Sequence, residues 1–149
     1  MSLIGRTLFA IVLFIQPICF VQADEKIELV QYMSSLQYFA HKTSLALESR
    51  NKQLAAFYTH ELEEVIEELE KVDSYDNYPV GDLVESKLEP SFEEFEAALK
   101  SGNWNESSIK FDSLIQACNA CHKATDHGFI RIERPTVNPF MQSFDDGIP

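Results

Sequence analysis

The segment "CNACHKATDHGF", residues 118–129, places two thiols, Cys118 and Cys121, and an imidazole, His122, within five residues. Three chemistries use such a set. A structural zinc site needs about four ligands, usually two such pairs. This chain has one pair, a distant Cys19 and three other histidines, none spaced as a second pair. A redox dithiol sits at a helix start after a strand, where the helix N-terminus lowers the thiol pKa. Here the thiols fall near the end of a helical pattern in a chain without strand signals. The third chemistry fits every residue. Cys-x-x-Cys-His attaches c-type haem, each thiol adding to a vinyl group and the imidazole binding iron.

Positions 118, 121 and 122 stand at i, i+3 and i+4, so on a helix they share one face. The same face carries Ile115, Leu114, Phe111, Ser107 and Trp104 further back. A covalently held haem c would therefore extend an apolar stripe into a core.

That core needs partners. Residues 25–49 repeat Leu29, Met33, Leu36, Ala40, Thr43 and Leu47 at three- and four-residue steps, which predicts a first helix, with His41 and Lys42 turned away from its stripe. A second spans about 52–72, with Leu54, Tyr58, Leu62, Val65, Leu69 and Val72 inward and a glutamate-dense outer face. "DSYDNYPVGD" is a loop by composition. A third runs over about 83–99, where Pro90 demands a kink or a fresh start near Phe92 capped by Ser91 and Glu94. Asn103, three residues before Glu106, predicts the N-cap of a fourth helix ending near Thr125. The expected fold class is all-α: an antiparallel four-helix bundle with an irregular C-terminal tail, pinned by Phe129, Ile130, Phe140 and Phe144.

The first 23 residues carry one charge, Arg6, an apolar run and a Pro17 break before Val21-Gln22-Ala23. The run is shorter than the ~20 residues of a membrane span, so 1–23 reads as a secretory signal peptide and 24–149 as one domain with no stable membrane span after cleavage. Removing Arg6 leaves 11 bases against 24 acids, a net charge of −13. Such a surface repels nucleic acid and anionic lipid; it reads first as a solvated face, with a basic protein partner as the alternative.

With these residues in view, the chain resembles the cytochrome c-prime type of exported four-helix haem proteins, which carry Cys-x-x-Cys-His near the end of the last helix. More narrowly it is similar to small exported bacterial cytochromes in which "CNACH" precedes a tail like "FIRIERPTVNPF", with "MSSLQ" and "NKQLAAFYTHELEE" upstream. The similarity covers residues 29–144. It implies thioether attachment at Cys118 and Cys121, proximal ligation by His122 and a periplasmic location. The extended tail departs from the well-studied c-prime proteins, so their five-coordinate iron does not carry over.

The sixth iron position separates the functions, since open iron binds gases and filled iron mainly passes electrons. Met33 is the candidate distal ligand, because the start of helix one lies level with the end of helix four in an up-down bundle; core packing is its other use. His41 and His60 project outward, His127 emerges on the proximal side unless the tail turns sharply, and Met141 would need the tail to loop over. Arg131, with Arg134, is the candidate partner of the haem propionates, with surface solvation as the equal alternative. The sequence thus predicts a non-enzymatic, periplasmic electron carrier with one covalent haem, serving a redox partner protein. A five-coordinate module binding nitric oxide or carbon monoxide is the alternative, and a homodimer is open to either.

Overall fold

The computed structural model describes residues 29–146; the expected signal peptide lies outside them. The described chain is helical, and no strand occurs among its residues. α1 spans Leu29–Glu48, α2 Lys52–Glu70, α3 Val80–Leu83, α4 Glu89–Ser101 and α5 Trp104–Ala124. None is long and apolar enough to cross a membrane.

Local signals set the helix ends. Arg50 takes a left-handed φ of 53°. This lets Asn51 N–H reach back to Ala46 O and Arg50 N–H to Leu47 O, closing α1 as a Schellman motif. Asn51 then caps α2, its side chain accepting from Leu54 N–H at 3.1 Å. Gly102, at φ 79°, ends α4 with its N–H on Leu99 O, and Asn103 caps α5 by accepting from Glu106 N–H, as its spacing predicts.

Of the two courses open at Pro90, the structure does not take the fresh start. No new start forms at Phe92, and Ser91 donates instead to Lys87 O. α3 and α4 are joined by a π-helical turn, Val84–Leu88, in which Glu89 N–H bonds to Val84 O five residues back. Proline lacks the N–H and its ring collides with the carbonyl four residues earlier; widening the preceding turn relieves that collision. The helical course therefore starts at Val80, earlier than the sequence indicates, and runs through the π turn to Ser101.

Between α2 and α3, Tyr75 and Tyr78 pair across Asp76 and Asn77, both with positive φ, a tight primed turn. Gly81 then passes so close to the end of α2 that a Cβ there would lie 2.5 Å from Glu70 O. Only glycine allows this approach.

α1 packs along α2, and α4 along α5, around Leu62, Leu69, Phe95, Phe111 and Leu114. α1 and α5 barely touch. Their apolar stripes are buried at one end, through Thr43, Ala46 and Leu47 on α1 and Ser107, Phe111 and Leu114 on α5. Toward the other end, Met33, Leu36 and Ala40 face Ile115, Ala117 and Cys118 only partly covered. The tail crosses this gap and ends in the α1–α2 turn. There Phe144 is buried and Asn51 donates to the carbonyls of Phe144 and Asp145. Phe140 packs on the core as expected. Phe129 does not; it is 79 % exposed.

Lys42 also departs from its expected outward direction. It is 7 % exposed. Its ammonium lies 4.8–5.0 Å from the ring centres of Tyr38, Tyr58 and Phe140 and donates to Gln142 Oε1 at 2.7 Å. The residue is a latch for the tail rather than part of the solvent face.

Candidate functional site

The partly covered stripes enclose two adjoining hollows, lined almost wholly by apolar atoms. The larger contains about 970 Å³ of non-protein space, its open mouth included, between α1, α2, the π turn, α5 and the tail. The smaller, about 690 Å³ measured the same way, continues toward the Tyr75–Tyr78 turn. Met33, Val84, Cys121, His122 and Ile130 line both, and Cys118 lines the larger.

The two thiols are free and only partly exposed. Cys121 Sγ donates weakly to Leu83 O at 3.7 Å, which ties it to the entry of the π turn. Apolar surroundings push the Cys118 thiol up to about 12, with the neighbouring Cys121 adding to the shift and a backbone hydrogen bond opposing it. Burial likewise raises Cys121, against the pull of Lys87. Reactive dithiols sit in electropositive settings that lower their pKa. These thiols are shifted the other way.

His122 is held differently. Its Nδ1 lies 2.9 Å from the carbonyl oxygen of Ile130. Only a protonated Nδ1 can donate to a carbonyl, and in the neutral imidazole that tautomer leaves the lone pair on Nε2. Metal-bound histidines use this arrangement, in which a backbone carbonyl fixes tautomer and ring orientation while the other nitrogen binds. The tail makes it possible by turning back sharply after α5. Asp126 adopts a left-handed φ of 60°, and His127 N–H bonds to His122 O at 2.8 Å.

The tail beyond the turn is extended, with Ile130 and Ile132 facing the hollow and Arg131 and Glu133 facing solvent. Asn119, between the two cysteines, grips it, donating to Ile132 O at 2.9 Å and accepting from Ile132 N–H at 2.7 Å. Neither Asn119 nor Ile132 is singled out by the motif. The alternation in "FIRIER" is the sequence signal that would have found the extended segment.

Of the residues predicted from sequence, Cys118, Cys121, His122 and Met33 share the larger hollow. Arg131 lines neither hollow, and its guanidinium pairs with Glu133 at 3.3 Å in solvent. Arg134 is committed elsewhere, to Asp112 and Ser108 on α5 and above the Phe111 ring. His60 lies on the surface beside Glu63 and Glu64. Met141 is fully exposed. His127 reaches the smaller hollow, stacked edge-on with Tyr78, whose hydroxyl donates to Asp126.

The chemistry of this donor set fits a haem: two thiols and one imidazole on a single helix face, beside an apolar hollow that Met33 also lines. Zinc does not, since among the described residues no three His, Cys, Asp or Glu side chains converge as a metal site. No protein-family model, curated protein or solved structure matches the chain.

Proposed function

We infer that the chain is an exported, periplasmic monohaem c-type cytochrome, packed as an antiparallel four-helix bundle, that carries single electrons. The observation that carries this reading is the hydrogen bond from His122 Nδ1 to Ile130 O beside two thiols, with Nε2 left available at an apolar hollow. When bound, the haem supplies a one-electron couple at iron. Cys118 and Cys121 would hold it covalently, and His122 would bind on the proximal side. The apolar walls would keep most water from the iron, and Met33, which lines the same hollow from α1, would be the candidate distal ligand. Its thioether favours a closed sixth position and electron transfer over gas capture. The acidic surface suits a basic redox partner.

Absorption spectra of the reduced protein with and without carbon monoxide test the assignment. A haem spectrum unchanged by the gas supports the carrier. A spectrum that shifts assigns an open site and a gas-binding module. Absence of haem bands, after expression with a working haem-attachment system, overturns both.

A further inference from the structure

The spacing Cys-x-x-Cys-His makes no demand on the residue types at 119 and 120. Asn119 nevertheless uses both ends of its amide on one residue of the tail, through the 2.9 and 2.7 Å bonds with Ile132. Two bonds that must be kept together fix the backbone of that residue in place and in rotation. Two residues back along the extended segment is Ile130, whose carbonyl accepts from His122. Asn119 and His122 stand three residues apart on α5, so they meet alternate residues of the tail as it runs beside the helix. A slip of one residue would turn Arg131 into the hollow and Ile130 and Ile132 out of it.

We propose that Asn119 is a positioning residue: by clamping Ile132 it holds the Ile130 carbonyl against His122, sets the rotation and tautomer of the imidazole, and so tunes the reduction potential of the iron. This rests on the haem reading given above. A carbonyl accepting from Nδ1–H increases the basicity of the bound imidazole, which favours ferric over ferrous iron. Released from the clamp, the tail leaves Nδ1–H to water and the preference weakens.

Asn119→Leu removes both bonds at similar size. Arg134→Ala loosens the same tail at Asp112 and Ser108 without touching the clamp. Both variants lose some thermal stability, and both retain the haem content of the wild type. Only Asn119→Leu raises the potential, moving the reduction equilibrium toward ferrous by roughly three- to tenfold, the upper figure being about 59 mV for one electron. Should the leucine variant not fold, Asn119→Ser makes the same comparison. An unmoved potential in the Asn119 variant, or an equal shift in Arg134→Ala, overturns the proposal. If the wild type carries no haem, it is the functional reading that fails, and the clamp is then read by nitrogen-15 NMR of His122 in the same proteins. An Nδ1–H tautomer lost in Asn119→Leu supports it; an identical tautomer in both overturns it.

Discussion

Lys42 and Gln142, a hundred residues apart, meet through a 2.7 Å hydrogen bond inside a cage of three aromatic rings. Burial by itself pulls the Lys42 ammonium down, but hydrogen bonds and charge interactions with Tyr38 and Tyr58 outweigh it and hold the group above its usual value. Its stabilising contribution is therefore complete below the ordinary lysine value of 10.5 and is lost as pH rises through the raised one. Lys42→Met keeps the apolar stem and removes the charge. We expect a loss of about 1–2 kcal/mol at pH 7 in urea unfolding, shrinking above pH ~10.5. A difference that does not change with pH would remove the charge from the account.

The thiols give a second pH signature. In the haem-free chain both Cys118 and Cys121 are shifted upward. The unfolded chain ionises first, so stability declines from about pH 9 toward 12 as unfolded thiolates form and the buried ones do not. At pH 8 Cys118 should react with an aromatic disulfide reagent at least about a hundredfold more slowly than a free cysteine. Rapid reaction of the pair at neutral pH would favour a dithiol role.

Gly81→Ala sets a side chain against two backbone carbonyls, Glu70 O at 2.5 Å and Val72 O at 3.1 Å. Neither can retreat without moving the end of α2, and the expected cost is about 1–3 kcal/mol. Gly102→Ala meets nothing within 4 Å and bears only the left-handed penalty of φ 79°, about 1 kcal/mol. Thermal unfolding of the two variants should rank them in that order.

Met33→Ala removes the thioether from the hollow that His122 also lines. The variant should retain covalent haem, while its reduced form gains a carbon monoxide spectrum that the wild type lacks. If variant and wild type respond alike, Met33 is packing.

The helices were legible because their apolar stripes repeat at helical spacing and Asn51 and Asn103 are strong N-caps. That Cys118, Cys121 and His122 border one hollow was legible for a related reason: the three fall on one continuous helix face. Pro90 was ambiguous because a kink and a new helix place the same demand on sequence, and a π turn that absorbs the proline leaves no residue signature of its own. Lys42 was misread because its cage comes from α1, α2 and the distant tail, and helix periodicity alone assigns a lysine to water. Asn119 was invisible for the same reason. Its partner is backbone, which leaves no imprint on residue type.

Covalent attachment tests the central claim most directly. Protein expressed with a haem-attachment system is denatured, washed with acidified acetone and assayed as the pyridine haemochrome, alongside a Cys118→Ser/Cys121→Ser double variant. The account predicts one haem per chain in the wild type and none in the variant. No haem retained by the wild type, or equal amounts retained by both, would contradict it.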